Sequence, residues 1–570
     1  MTMNNFYNFR SGMGRYTVSD FCFLTGLIIL AIMSVWYFPS SGGEGISLPF
    51  NLLFMAATGL MLVGIARCCS GFVVVPPKRF GFIFSGLCVF MLPWLLNIER
   101  APGILVVAGG ALIWWILQGC VFTYRLRRRV LLAIFLLAVV QAMVGLVQTF
   151  LPDAALHWYE YNWLRNHGRP YGIFQQVNLL GSFLATGVGC GLWLALTTQD
   201  RAVNLRGMAA RVGLGIIVFT LFVAQSRVGI IGFLSIVVII LWLVGINKPR
   251  RLVDILILMI FCGLAGWWVS CHFSVRINGE LWPLARSYSE SNAQRWKILD
   301  ITMRMIMMKP LEGWGYGTFE HEFMGYVNMH PEMSVKSLGM SNITHPHNEF
   351  LYVWFQGGVI PVLGLLLMII GWFKNIAEAM KKNRESAANS LLIVPLLVHL
   401  NLEYPFYQSF IHFGTFILLL RLSAIEKEPE SISYYMIYRA RKSMIFALGI
   451  GLVVYCISAL YANNSLTRLE RTGFEGFPER QPWYFATQPE RVRFDAMIAL
   501  LISYNELHDE KILDQFMTQA YEWLKYHNDP NVLRSMIRIL QHKGDIEGEK
   551  QLSKQYLHYM QTGFLKPEDN

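Results

Sequence analysis

Long apolar runs alternate with short polar connections over most of this chain. Uninterrupted apolar runs of roughly 17 to 25 residues are typical of helices that cross a membrane. The pattern predicts about thirteen such helices, so the chain is predicted to be an all-α, polytopic membrane protein. The predicted spans lie near residues 20–38, 50–66, 80–98, 102–123, 130–151, 178–197, 211–225, 228–246, 252–271, 349–373, 389–402, 405–424 and 443–461.

The loops between these runs differ in their content of Lys and Arg. One alternate set is rich in basic residues, for example at 125–129, 248–251 and 374–384, whereas the other set holds few. Because Lys and Arg concentrate in cytoplasmic loops, the basic set is predicted to be cytoplasmic. The N-terminus is then cytoplasmic, and an odd number of spans places the C-terminus in the periplasm.

The composition agrees with this assignment. With 54% hydrophobic and 15% charged residues, the chain is more apolar and less charged than a typical soluble domain. The formal net charge is +11, and much of it belongs to the basic loops. The positive charge therefore indicates membrane orientation and no nucleic-acid partner.

Three longer segments are predicted on the periplasmic side. The first, 152–177, is aromatic and basic, and the second, 272–346, is the largest loop. In the tail, apolar residues recur at helical spacing between breakers such as Asn528-Asp529-Pro530, which predicts helical hairpins. The chain thus divides into a transmembrane domain, 1–461, which includes the large loop, and a periplasmic helical domain, 462–570, similar to tetratricopeptide repeats.

A polar cluster precedes the predicted span 349–373. It holds two imidazoles, an amide and a carboxylate, from His345, His347, Asn348 and Glu349. Ionisable groups are costly in hydrocarbon, so a cluster at the mouth of a span is a functional-site hypothesis. The alternative is a solvated loop end with Asn348 as a helix cap. His345 and His347 lack an evident third ligand, so no metal site is predicted.

Single arginines near the outer ends of the spans are the second chemical feature. Arg227 lies in a tight turn between two spans, and its planar fork suits two parallel hydrogen bonds to phosphate oxygens. The alternative is an arginine that snorkels to the interface. Arg295 is predicted in the polar part of the large loop, where an arginine is ordinarily solvated. Position alone leaves these alternatives open.

Glycine-rich nucleotide sites are disfavoured. The segment Gly313-Trp-Gly-Tyr-Gly317 follows no predicted strand and belongs to no βαβ unit, so it predicts a loop of tight turns. The chain also contains no P-loop sequence.

Four ordered motifs resemble a known family. Listed along the chain, they are Gly168-Arg-Pro-Tyr-Gly-Ile-Phe-Gln-Gln-Val-Asn178, Ser226-Arg-Val-Gly229, Arg295-Trp296 followed by Lys309-Pro-Leu-Glu-Gly-Trp-Gly-Tyr-Gly-Thr-Phe319, and His347-Asn348 followed by Gly358. In this order they are similar to the O-antigen ligase/polymerase superfamily, and closest to its bacterial protein O-oligosaccharyltransferases. Val177 and Pro361 depart from the family pattern, at positions that concern backbone geometry.

The resemblance implies a fold and an activity. Such enzymes are GT-C-like membrane glycosyltransferases of the bacterial inner membrane, and they act on its periplasmic face. They transfer a preassembled glycan from undecaprenyl pyrophosphate to a hydroxyl group without a metal or other cofactor. The acceptor would be Ser or Thr of a periplasmic or pilin-like protein. A lipopolysaccharide core, as for a ligase, or a second lipid-linked glycan, as for a polymerase, remains an alternative acceptor.

The resemblance also implies roles for individual residues. His347 aligns with the family's histidine, and a neutral imidazole with a pKa near 6.5 suits removal of a proton from the acceptor hydroxyl. Arg227, Arg295 and Arg169 would bind the pyrophosphate. Six further residues would position substrate: Gln176, Asn178, Tyr404, Asn348, His345 and Glu349.

A transporter for a lipid-linked or anionic substrate is the alternative from another functional class. It would use the same arginines as a binding site. Many transporters carry internal repeats and polar residues at mid-membrane. The sequence shows no such repeat, and its polar cluster lies at one side, which favours an enzyme.

Overall fold

The computed structural model describes most of the chain as helix. The described residues are 29–30, 32–43, 45–68, 80–96, 103–118, 122, 124–197, 205–245, 249–284, 289–330, 343–423, 435–478 and 480–555. Most of the predicted span 20–38 falls outside them. Within them, the only sheet is one antiparallel hairpin, β1 (Ser274–Ile277) with β2 (Glu280–Pro283), in which Ser274 is opposite Pro283.

The helices follow one another with short connections. In chain order they are α1 Pro49–Cys68, α2 Phe80–Leu96, α3 Gly103–Gln118, α4 Tyr124–Phe150, α5 Pro152–Tyr159, α6 Trp163–Asn166, α7 Val177–Thr197, α8 Leu205–Val223, α9 Arg227–Leu243, α10 Pro249–His272, α11 Ser289–Met308, α12 Phe319–Met329, α13 Glu349–Gly357, α14 Val359–Lys382, α15 Arg384–Leu391, α16 Val394–Leu400, α17 Pro405–Gln408, α18 Phe410–Leu422, α19 Tyr435–Arg471, α20 Pro489–Leu507, α21 Glu510–Leu524, α22 Pro530–His542 and α23 Ile546–Gln555.

Five of the described helices are long and apolar enough to cross a membrane. The stretches are Tyr124–Phe150, Val177–Thr197, Arg250–His272, Val359–Lys382 and Lys442–Arg471. Shorter apolar helices accompany them, at Pro49–Gly64, Gly81–Leu95, Val106–Gln118, Gly207–Val223, Arg227–Leu243 and Phe410–Leu422. The expectation of a polytopic helical membrane protein is confirmed, whereas the number of spans stays a prediction.

Three predicted spans are wrong as continuous helices. The run 349–373 is broken at Gly358, which has a φ of +68°. The run 389–402 divides into the end of α15 and α16, and 405–424 divides into α17 and α18. Pro395 and Pro405 lie in the first turns of α16 and α17, where a missing N–H costs no hydrogen bond. Hydrophobicity predicted the burial of these runs and not their backbone breaks.

The α7 helix forms the centre of the largest apolar core. Almost all of its residues are buried, and it packs against α4, α8 and α9. Gly181 allows the closest approach, because a β-carbon there would lie 2.5 Å from the Ser226 hydroxyl oxygen. The beginning of α7 is therefore held against the beginning of α9.

The C-terminal tail packs onto the large loop. Helices α20 to α22 share one apolar core with α11 and α12, in which Met536 and Phe516 join Ile298 and Phe323. The Asn528 backbone N–H also donates to the Glu320 carboxylate, at 2.8 Å. The predicted helices of the tail are present, and they pack against the large loop. The division into two domains and the likeness to tetratricopeptide repeats stay predictions.

Candidate functional site

Three helices begin at one place in the fold. The first residues of α7, α9 and α13 follow Gln176, Ser226 and Asn348. The turn between α16 and α17 carries Glu403 and Tyr404 to the same place. Because the unpaired N–H groups of helix N-termini favour negative charge, this convergence suits an anion.

Glu403 connects the converging elements. Its Oε1 accepts hydrogen bonds from the Asn178 amide, at 2.5 Å, and from Arg295 Nη2, at 2.6 Å. Its Oε2 accepts one from the Gln176 amide, at 3.1 Å, and lies 3.2 Å from His399 Nε2. With only 4% of Glu403 exposed, both oxygens of a buried carboxylate are fully used within the protein.

The electrostatics of Glu403 favour its charged form. Burial acts most strongly and raises the pKa, but the hydrogen bond and charge of His399 and the charge of Arg295 together lower the pKa to about 2. On its other side, His399 Nδ1 lies 2.7 Å from the Ser182 hydroxyl. The carboxylate is thus a fixed negative charge at neutral pH, and it orients Arg295.

The prediction that Arg295 lies in a polar loop is wrong. Arg295 belongs to α11, and its side chain is only 24% exposed because it pairs with Glu403. One Nη2 hydrogen bond to Glu403 uses a single donor of a guanidinium that has five. The rest of the guanidinium is partly exposed to solvent.

His347 lies in a strained turn that His345 stabilises. Its φ is +59°, in the left-handed region that few residues other than glycine adopt. The His347 backbone N–H donates to His345 Nδ1, at 2.9 Å. The neutral His345 ring then carries its proton on Nε2, which lies 3.5 Å from a Glu349 carboxylate oxygen. His345 therefore positions His347, and its ring lies 4.3 Å from the ring of Tyr352 and 4.3 Å from that of Tyr404, tilted against both.

The His347 imidazole is neutral at pH 7. Burial lowers its pKa to about 4, against an opposing effect of Glu403 and with added effects of Arg295 and His345. Its Nδ1 is buried and has no hydrogen-bond partner within the described structure. An unused ring nitrogen beside an arginine can accept a proton from a bound hydroxyl group.

Three of the predicted positioning residues have roles within the protein. Asn348 caps α13, since its Oδ1 accepts from the Leu351 N–H at 3.0 Å, as in the capping alternative. Glu349 accepts a hydrogen bond from the Tyr407 hydroxyl, at 2.9 Å. The Tyr404 hydroxyl lies 3.3 Å from the Thr344 hydroxyl, next to His345. These residues support the turn that carries His347.

Arg227 and Arg169 lie at the edge of the same network. Arg227 is the first residue of α9, and the hydroxyl of the preceding Ser226 donates to Asn178 Oδ1, at 2.8 Å. Arg169 Nε donates to the Ala224 carbonyl, at 3.2 Å, three residues before Arg227. Gln176, Asn178 and Arg295 therefore meet directly on Glu403, and the other two arginines join them through the turn before α9.

The glycine-rich segment is structural. Gly313, Gly315 and Gly317 all have positive φ, which confirms the predicted tight turns. The Trp314 N–H donates to the Phe355 carbonyl at 2.7 Å, and the Gly315 N–H donates to the Gln356 carbonyl at 3.0 Å. These carbonyls are ones that the break at Gly358 removes from the helical ladder. The segment thus supplies hydrogen-bond donors to the free carbonyl groups at the end of α13. These bonds hold α13, the helix that follows His347, in place.

Gly358→Ala is expected to lower the melting temperature of the protein. A β-carbon at this position would overlap the Leu311 carbonyl oxygen, and φ is left-handed. Gly325→Ala is the matched control, because its β-carbon would meet no atom within 4 Å. Thermal unfolding in detergent measures both variants, and a Gly358→Ala protein as stable as Gly325→Ala would contradict this account of the break.

Two family models match this chain. One, described as O-antigen ligase, covers residues 212–369, and the other, described as the C-terminal part of a virulence factor membrane-bound polymerase, covers residues 387–559. Together they cover more than half of the chain. The chain belongs to the O-antigen ligase superfamily. Members of this superfamily are membrane enzymes that transfer glycans. No curated protein matches the chain significantly.

Each of the two family matches contains part of the candidate site. The first contains Arg227, Arg295 and His347, and the second contains His399 and Glu403. Glu403 and His399 lie outside the four sequence motifs, so neither was predicted to be a functional residue. The available signal was an ionisable pair at i and i+4 in an otherwise apolar run, where charged groups are rare.

Proposed function

We propose that this protein transfers a preassembled glycan from undecaprenyl pyrophosphate to Ser or Thr of periplasmic or pilin-like proteins. The observation that carries the proposal is the buried Glu403–Arg295 ion pair, whose charges lie close enough to the neutral His347 imidazole to act on its pKa. Transfer of a glycan to a hydroxyl group needs a base that removes the hydroxyl proton. It also needs positive charge that stabilises the departing pyrophosphate. This site supplies both from its own side chains.

Each arginine has a defined part in this mechanism. Arg295, oriented by Glu403, would bind pyrophosphate oxygens as the bond to the sugar carbon breaks. Arg227 and Arg169 would add charge from the turn before α9. His347 would take the proton of the acceptor hydroxyl as its oxygen attacks the same sugar carbon. A negative leaving group is then stabilised without a metal or other cofactor.

Ligase and polymerase activities are the alternatives. The descriptions of the two family models support them directly, since they name an O-antigen ligase and a membrane-bound polymerase. The motif resemblance and the helical tail on the large loop support a protein acceptor. All three reactions share the donor and the base and differ in the acceptor.

The decisive experiment compares intact masses of secreted and pilin-like proteins in cells that make a lipid-linked glycan. The strain with this gene is compared with a strain that lacks it. A glycan mass added to a protein only when the gene is present supports protein glycosylation. Loss of glycan from lipopolysaccharide with unchanged protein masses would identify a ligase, and shortened glycan chains would identify a polymerase.

The proposed orientation places His347 and the C-terminus in the periplasm of a bacterial inner-membrane protein. The basic loops and the contact between the tail and the large loop support it. Alkaline phosphatase fused after residue 570 is expected to be active. A silent phosphatase together with a fluorescent cytoplasmic reporter at the same point would refute the orientation.

Arg227→Lys and Arg295→Lys are both expected to reduce turnover strongly, with protein levels unchanged. An ammonium on a flexible stem cannot reproduce two parallel hydrogen bonds to a pyrophosphate. Transfer of a lipid-linked glycan to a purified acceptor measures the effect, with Arg276→Lys on the exposed hairpin as control. Normal transfer by the Lys variants, with failure of the Ala variants, would mean that charge alone suffices.

A further inference from the structure

An aromatic turn joins α19 to the tail helices. Residues Trp483–Thr487, called the aromatic turn below, form one turn of 3₁₀ helix just before α20. Phe485 of this turn is buried in a small apolar cluster with Leu466 of α19 and Val492 of α20. Trp483, the first residue of the turn, is instead 74% exposed. The turn is therefore fixed by packing, while its largest side chain remains uncovered within the described part of the chain.

Tyr461 relates the height of the aromatic turn to the membrane. No charged residue lies between Lys442 and Tyr461 in α19, and the polar Asn463 follows. The hydrocarbon of a bilayer accommodates about 20 helical residues, so a span that begins after Lys442 ends near Tyr461. The Tyr461 ring lies 4.8 Å from the ring of Tyr484, edge to face. The aromatic turn therefore lies where α19 leaves the hydrocarbon.

An exposed stripe of α19 leads directly to the aromatic turn. Val454, Ile457 and Tyr461 are spaced by three and four residues, so they lie on one face of the helix. All three are exposed, and Tyr461 is 58% exposed. Because this face belongs to a predicted span, lipid chains are expected to cover it. Lipid is then already the neighbour of the residue that contacts the turn.

A second chain segment ends beside the same place. Trp36 and Phe38 end the first predicted span, and both are exposed, with their rings stacked at 6.2 Å. Two residues after Phe38, the Ser40 hydroxyl accepts a hydrogen bond from the Asn463 amide, at 3.2 Å. Trp and Tyr are enriched at membrane–water interfaces, because their rings are apolar while their polar groups reach headgroups or water. The ends of two spans thus carry exposed aromatic rings next to the turn.

We propose that the aromatic turn inserts into the headgroup region of the bilayer, at the leaflet where α19 ends. The Trp483 ring then lies beside the first carbons of the acyl chains, and its indole N–H donates to lipid oxygens. A protein partner would have to displace the lipid that borders Tyr461, whereas the bilayer reaches the turn without displacement. The tail is thereby held at two places, by its core on the large loop and by this turn on the membrane.

Two paramagnetic agents locate Trp483. The full-length protein is labelled with fluorotryptophan and placed in phospholipid nanodiscs, and the Trp483 fluorine resonance is the one absent from a Trp483→Phe sample. A phospholipid with a nitroxide near the headgroup end of its acyl chain is expected to abolish this resonance, and a water-soluble gadolinium chelate is expected to leave it visible. Trp267, exposed near the end of the apolar helix α10 and assigned in the same way, is the positive control for the lipid nitroxide.

The two agents give opposite results for the alternatives. A Trp483 resonance that the chelate abolishes and the lipid nitroxide leaves visible, while Trp267 responds to the lipid, would overturn the proposal. Protection from the chelate that appears only after a purified acceptor protein is added would assign the turn to acceptor contact, and would also overturn it. Loss of the resonance to the lipid nitroxide without donor or acceptor supports the membrane contact, whichever glycan acceptor the enzyme uses.

Discussion

His347→Ala is expected to abolish glycan transfer and to leave a folded, inserted protein that still binds the lipid-linked donor. Loss of a positioned base costs about 10²–10⁴-fold in rate. His345→Ala is expected to cost less, because His345 supports the His347 turn through one hydrogen bond to its backbone. Transfer to a purified acceptor measures the rates, and His157→Ala, at an exposed histidine of α5, is the control. Near-normal transfer by His347→Ala would exclude it as the base.

The pH dependence gives a second test of the same residue. An imidazole with an ordinary pKa near 6.5 would lose activity below that pH. The buried His347, with a pKa of about 4, stays neutral in the free enzyme well below pH 6.5, so kcat/KM is expected to be flat from pH 7 to about 5. A bound pyrophosphate adds negative charge and raises the pKa, so kcat should begin to fall at a higher pH than kcat/KM. A fall of kcat/KM with a midpoint near pH 6.5 would contradict the burial effect.

Glu403→Gln is expected to reduce transfer by at least about 100-fold and to destabilise the protein by up to about 3 kcal/mol. The new amide would turn a donor toward side chains that already donate to Glu403, and Arg295 would lose its counter-ion. Activity assays and thermal unfolding measure the two effects. Glu160→Gln is the matched control, because the Glu160–Arg471 pair is largely exposed and such pairs contribute little.

A double variant separates the charge of Glu403 from its effect on folding. Adding Arg295→Met to Glu403→Gln removes both charges, so it should restore part of the stability that the single change loses. Transfer should not return, because the arginine that faces the donor is gone. A Glu403→Gln protein with normal stability and normal transfer would show that Glu403 does not orient Arg295.

The sequence allowed prediction of the candidate functional residues but not of the hydrogen bonds that connect them. Arg227, Arg295 and His347 were found from their motifs, because local residue order carries that signal. Glu403, the partner of Arg295 and Gln176, is more than 100 residues from Arg295 and more than 220 from Gln176. No local pattern reports a hydrogen bond across such a separation, so the network became visible only in the folded chain.

The helix breaks were also beyond sequence prediction. Apolar runs indicate burial, and the run after His347 reads as a continuous span. Gly358 alone does not predict a break, since glycines are common in membrane helices. The break depends on the loop around Trp314, more than 40 residues earlier, which supplies hydrogen-bond donors to the freed carbonyls. Two motifs that looked separate in sequence are thus one structural unit.

The shared core of the tail and the large loop sets an order for biosynthesis. The ribosome makes α20 to α22 only after α11, α12 and the helices between them. Until these helices arrive, the apolar core that α11 and α12 share with them is incomplete, and α13 covers only part of it. A chain cut short within α20 to α22 would therefore expose apolar residues of α11 and α12, and it would be prone to aggregation or degradation before it could act.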